Sequence, residues 1–204
     1  MKQCIYCGLR PGDTKDHVPP KCVFDYPLPT NTQRITVPCC DVCRRAGEND
    51  EALYRDLFIS TRESEKNPIA VKLAAKRNKS FEEDSSQMER IIRHMRLVGV
   101  PSPRGRVPAF AFDLDSPEMH RFVLRMCRAL LHEETKVGHI ECRLINWKVN
   151  PEREIREELL SIAKGRVVSK EFAYAGVFLA NEPVSFWLLN FYEALEFYAI
   201  LSVK

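Results

Sequence analysis

The hydrophobic positions of this 204-residue chain change their spacing along its length. Residues 1–47 hold few apolar runs among many cysteines, prolines and turn formers, the pattern of a short hairpin-and-loop unit. A first hairpin is expected around Cys4 to Arg10, with Asp16 and His17 on or near a strand end and Ile35–Val37 as a short return strand. Pro19, Pro20, Pro27 and Pro29 exclude helix from the intervening loop. From about Asn49 to Ser60, Leu53, Leu57 and Phe58 recur at helical spacing, with Asn49 or Asp50 available as a cap. Two further helices are predicted, from Pro68 to about Lys79 and from about Ser85 to Val98, the second carrying Met88, Ile91, Ile92 and Met95 on one side. The segment Gly99 to Gly105, with Pro101 and Pro103, is the best boundary in the chain.

Beyond that boundary the pattern alternates between the two periods. It predicts a strand at Val107–Phe112, a helix from Pro117 to Glu134 opened by Ser116, a strand at Ile140–Val149 and a helix from Pro151 to Lys164. Three strands follow, near Phe172–Leu179, Val184–Tyr192 and Phe197–Val203. The fold class is therefore α+β, with a small N-terminal module (1–60), a helical linker region (61–98) and a companion domain (105–204) built on a largely antiparallel sheet. Arg121, Arg125, Arg128 and His132 form one stripe on the 117–134 helix, read as a solvated face paired with nearby acids or as a track for a phosphate backbone. The aromatic residues between Phe172 and Tyr198 read as packing of the sheet, and Cys127 and Cys142 as core residues.

Composition changes this picture in two respects. The net charge of +3 is unevenly spread: residues 1–110 carry 19 Lys and Arg against 14 Asp and Glu, whereas residues 111–204 carry 12 against 14. A basic front half fits a nucleic-acid partner, because phosphate neutralisation is the sequence-independent part of such binding. No window reaches the roughly 18 apolar residues of a membrane helix, and the richest stretch, Phe186 to Leu201, is broken by Asn190, Glu193 and Glu196. With no apolar leader of signal-peptide type and cysteines spaced for metal, the expected location is the reducing cytoplasm, and no membrane partner is expected.

The candidate chemistry lies in the first module. Cys4 and Cys7, then Cys40 and Cys43, form two Cys-x-x-Cys knuckles whose four thiolates are enough to close a tetrahedral structural Zn²⁺ site. Cys39 can replace Cys40 with a longer spacing, and Cys22 can belong to a site of its own; Cys40 is preferred because it restores the knuckle. Between the knuckles stand Asp16 and His17, one hard oxygen ligand beside one imidazole. A neutral imidazole suits proton abstraction near pH 7, and a carboxylate suits Mg²⁺ or Mn²⁺. Neighbouring strand residues point to opposite faces, so both serve one reaction only if the strand ends or twists there.

Cys4 to Cys7, the run Thr14 to Lys21 with Asp16 and His17, Asn31, and Val37 to Cys43 together resemble the HNH endonuclease family, also called ββα-metal or His-Me finger nucleases, in its zinc-ribbon form. The motif resemblance covers about the first 60 residues; residues 105–204 are similar to the companion region of bacterial proteins with this front end. It implies hydrolysis of phosphodiester bonds in DNA, with Asp16 as ligand of the catalytic cation, His17 as general base and Asn31 bracing the loop. One position departs from the pattern: the residue after the last cysteine, usually an Asn or His that binds the cation, is Arg44, followed by Arg45. A guanidinium cannot ligate Mg²⁺. Glu48, one helical turn on, is the expected substitute ligand. Otherwise Arg44 holds the scissile phosphate, or the chain is a non-catalytic, zinc-dependent nucleic-acid-binding module.

Overall fold

A computed structural model describes residues 2–28, 32, 34–179 and 181–204. Asn31 and Pro29, singled out above, lie outside the described residues. Strand β1 (Thr14–Val18) pairs antiparallel with β2 (Ile35–Cys39), setting Asp16 opposite Val37 and His17 opposite Thr36. Helix α1 (Asp41–Phe58) follows directly. It begins eight residues before the expected Asn49, and Cys40, not Asn49 or Asp50, is its N-cap. The polar first half conceals the helix from a hydrophobic-period reading, yet it is well supplied with pairs one turn apart, Asp41 with Arg44 and Arg45, and Arg44 with Glu48.

Helix α2 (Pro68–Glu83) opens on Asn67, whose side chain accepts from the amides of Ile69 and Ala70. Helix α3 (Ser86–Arg93) is shorter than predicted, because Met95 to Val98 belong to strand β3 (Met95–Ser102). With β4 (Gly105–Phe112) it makes a two-stranded antiparallel ribbon, so the expected boundary at Gly99–Gly105 falls within paired strands and their tip. Helix α4 (Pro117–Thr135) starts as predicted, with Ser116 Oγ accepting from Met119 N at 3.2 Å. Strand β5 (Cys142–Val149), helix α5 (Arg153–Ile162), the unpredicted short strand β6 (Lys164–Val167), and strands β7 (Phe172–Leu179), β8 (Val184–Phe191) and β9 (Leu195–Val203) complete the chain. They form a five-stranded, wholly antiparallel sheet in the order β5-β9-β8-β7-β6. The fold is α+β as expected, and no described helix is long and apolar enough to cross a membrane.

One hydrophobic core holds residues from both halves of the chain, from Ile5 and Val18 to Leu201 and Val203. Along β9 the residues alternate between buried and half-buried, so Leu195, Phe197, Ala199 and Leu201 face α4 and α1. Phe58, at the end of α1, is the junction: its ring centroid lies 5.8 Å from Phe122 on α4, 4.9 Å from Phe191 and 5.0 Å from Phe197. The opposite face of the sheet is covered by α5 through Leu159 against Ala175 and Leu188. The aromatic residues are mostly core, as predicted, with Phe178 the exception at 40% exposure. Phe58→Ala should cost about 3–5 kcal/mol. Because the core is shared, chemical denaturation followed by the emission of Trp147 and Trp187 and by far-ultraviolet circular dichroism should show one coincident transition shifted to lower denaturant; two separate transitions would contradict the shared core.

Candidate metal centre and adjoining cavity

The first knuckle is a tight turn in which Cys4 N donates to Arg10 O at 2.9 Å and Gly8, at φ +64°, donates to Cys4 O. The second spans the N-cap and first turn of α1, so a metal held there anchors the helix start, where the dipole favours anionic ligands. The Sγ atoms of Cys4, Cys7, Cys40 and Cys43 all lie within 4.8 Å of one another, and Cys7 Sγ is 4.0 Å from Cys40 Sγ. Tetrahedral zinc with bonds of about 2.3 Å requires sulfurs about 3.8 Å apart, so the four cysteines can hold a zinc-like ion. Backbone amides of Leu9 and Arg10 bring the Cys7 thiol down to about 7, against the effect of burial, which favours the thiolate a metal needs. Cys39 is set apart by geometry: it lies outside the group of four, and its thiol donates to Cys40 O at 3.2 Å. Cys22 points at Glu51 O, away from the group, which leaves Cys40 as the fourth member.

The arginine stripe of α4 is divided: Arg121 is exposed and pairs with Asp50 and Glu118, as a solvated face would, whereas Arg125 and Arg128 turn inward. Arg125 Nη1 donates to Cys43 O at 2.7 Å, Nη2 donates to Asp16 Oδ2 at 2.7 Å, and Nε lies 3.4 Å from Glu51 Oε1. Its guanidinium stacks 4.0 Å above the ring of Tyr6, whose hydroxyl donates to the same Asp16 Oδ2 at 2.6 Å. Burial opposes the charge on Arg125, but the surrounding Asp16 and Glu51 hold it firmly protonated. Arg128 donates to Tyr6 O at 2.8 Å and to Cys142 O at 2.9 Å, and Arg121 pairs with Asp50. Gly47 makes room for this clamp: a Cβ there would lie 2.7 Å from Arg125 Cζ. The buried acceptors on the knuckles and on α1 are the partners that sequence spacing on α4 alone does not reveal.

Asp16 and His17 do share one cavity, of about 280 Å³ between β1 and α1, together with Lys21, Arg44, Glu48 and Glu51. Asp16 is nearly buried, and its described hydrogen bonds all fall on Oδ2. His17 is half-buried; burial, then the charges of Lys21 and Arg34, lower its pKa below 6.5, with the charge of Asp16 acting in the opposite sense. Glu48 departs from the expectation of a free ligand, because Arg44 holds its carboxylate and that of Asp41, the latter at 2.7 Å. Glu51, which the sequence did not single out, is raised to about 7 by burial and then by the charge of Asp16, with Arg125 opposing. Among the described residues, the four thiolates are the only group of three or more Cys, His, Asp or Glu donors gathered closely enough to hold an ion. A Mg²⁺ ion commonly takes one or two carboxylates and otherwise water and substrate phosphate; here Asp16 lines the cavity but is buried and paired with Arg125.

Comparison with known protein families, curated proteins and solved structures finds no match. Two measurements test the geometry directly. Zinc content should be one ion per chain, retained in Cys39→Ser and Cys22→Ser and lost in Cys40→Ser. Arg125→Met leaves Asp16 and Glu51 buried without their cation and should lower stability by about 3–5 kcal/mol in denaturant titration, with Gly47→Ala producing a smaller loss in the same direction.

Proposed function

We propose that this chain is a zinc-stapled, HNH-like hydrolase of nucleic-acid phosphodiester bonds, with DNA as the substrate. The single observation that carries the reading is the cavity between β1 and α1 in which His17, Asp16, Lys21 and Arg44 meet, on a ββα unit whose ends are tied by the four cysteines. Hydrolysis needs a proton acceptor for the attacking water and fixed positive charge at the phosphate. His17, neutral at cellular pH by virtue of its lowered pKa, takes the proton from water. Lys21 and Arg44 face the same space and attract the phosphate oxygens. Asp16 would hold the Mg²⁺ or Mn²⁺ that such chemistry employs, and the cation would neutralise charge on the phosphate and the leaving oxygen.

A second reading, a non-catalytic zinc-dependent module that binds nucleic acid, is favoured by a specific observation: Arg125 engages Asp16 and Arg44 engages Glu48, the two carboxylates expected at the cation. The two readings diverge in a single experiment. Wild type and His17→Ala, each with zinc content verified, are incubated with supercoiled DNA, single-stranded DNA and RNA in Mg²⁺ or Mn²⁺. The hydrolase reading expects cleavage that falls by about 10²–10⁴-fold in the variant. Its wild-type rate should fall as pH drops through the His17 pKa, placing the acid limb below pH 6.5, because protonation removes the acceptor. Binding without cleavage in both proteins would leave the module reading in its place.

A further inference from the structure

The β3–β4 ribbon stands apart from both other sheets; its strands hydrogen-bond to each other and to no other described strand. Eight residues per strand give it a reach of about 27 Å at the usual rise. Its 18 residues, 95–112, include three arginines and no acidic residue. Arg96, Arg104 and Arg106 are all exposed, and none of them takes part in an ion pair among the described residues. This contrasts with Arg44, Arg45 and Arg55 on α1 and Arg121 and Arg125 on α4, which pair with neighbouring carboxylates.

The register distributes these cations around the ribbon. Residues directly opposite one another share a face, so Arg106, facing Pro101, lies on the face of Leu97 and Phe110, whereas Arg96, facing Ala111, lies on the other. Arg104 occupies the two-residue turn with Pro103, and Gly105, at φ +108°, completes the tip. Leu97 and Phe110 are paired across the strands and are 68% and 67% exposed, a large apolar pair that the fold leaves uncovered. Positive charge on both faces and at the tip, around an apolar middle, is complementary to a channel with anionic walls and a stacked aromatic floor.

We propose that the β3–β4 ribbon is an arm that enters a groove of duplex DNA. The major groove, about 12 Å wide, admits a two-stranded ribbon, and both of its walls are phosphate backbones. Arg96 and Arg106 contact opposite walls, Arg104 reaches ahead of the strands, and Leu97 and Phe110 lie against sugars and thymine methyl groups. The arm deepens the nucleic-acid reading of the cavity but stands without catalysis, because binding and cleavage are measured separately.

The test uses the full zinc-loaded chain in a His17→Ala background without added divalent cation, and a fluorescent random-sequence 20-base-pair duplex titrated between 50 and 200 mM salt. Each phosphate contact adds about 0.9 to the slope of log affinity against log salt. The triple variant Arg96→Gln, Arg104→Gln, Arg106→Gln should reduce that slope by about 2–3 and weaken binding about tenfold or more, while Arg104→Gln alone reduces it by about 1. Unchanged zinc content and circular dichroism in these surface variants confirm that the fold is intact. Failure of the parent chain to bind duplex, or an unaltered slope and affinity in the triple variant, would overturn the arm. So would concentration-dependent dimerisation that Leu97→Ser with Phe110→Ser abolishes while leaving duplex affinity intact, since the ribbon would then join two copies of this chain. Loss of duplex binding in the triple variant, in a protein whose wild type cleaves nothing, upholds the arm and removes only the hydrolase reading.

Discussion

The desolvated guanidinium of Arg125 is the constraint around which the N-terminal half is organised. A charge taken out of water is tolerated only where geometry and partners compensate for lost hydration. Here the compensation comes from separate pieces of chain: the Cys43 carbonyl at the start of α1, the Asp16 carboxylate on β1, Glu51 in the middle of α1 and the Tyr6 ring on the first knuckle. They lie on the first knuckle, β1 and α1, and the charge of Arg125 is compensated only when all are in position. The side-chain-free surface at Gly47 lets α1 and α4 approach closely enough for this to happen. The cost of a glycine inside a helix, about 1 kcal/mol, is offset by the ion pairs it permits.

That clamp also sets the electrostatics of the cavity. Asp16 is held by Arg125 and Tyr6, while His17, one residue on and lining the same cavity, has its charged form disfavoured by burial and by Lys21 and Arg34. The cavity thus sets an anion that is already compensated beside an imidazole whose charged form is disfavoured. Arg44, bridging Asp41 and Glu48, remains about one third exposed at the same cavity, so its charge is oriented by the helix yet accessible.

The thiolate cluster and the shared core solve a problem of size. A unit of about 60 residues buries little apolar surface by itself. Two knuckles close its turn to the head of α1, and Phe58 at the tail of that helix enters the aromatic core formed with Phe122, Phe191 and Phe197. Tyr192 adds a further tie, donating its hydroxyl hydrogen to Val23 O at 2.9 Å from the β8–β9 turn. The cysteine cluster, which can hold a metal ion, and the long-range packing therefore lie at opposite ends of α1.

Local features were legible in the sequence wherever one short-range rule governs them: the Cys-x-x-Cys pairs, the Ser116-Pro117 start of α4, the alternation in β7, β8 and β9, and the adjacency of Asp16 and His17. Reading failed where the deciding partner is remote. The first half of α1 is polar because its neighbours are ions of its own helix and α4; Met95 to Val98 leave the helical pattern because β4 offers them a ladder; and Arg125 and Arg128 of the α4 stripe are drawn inward by acceptors 82 to 122 residues away in sequence. Spacing along a chain determines which side chains share a face. Whether that face meets water, an apolar surface or a buried carboxylate is decided only when the elements pack, because the cost of desolvating a charge depends on everything that surrounds it.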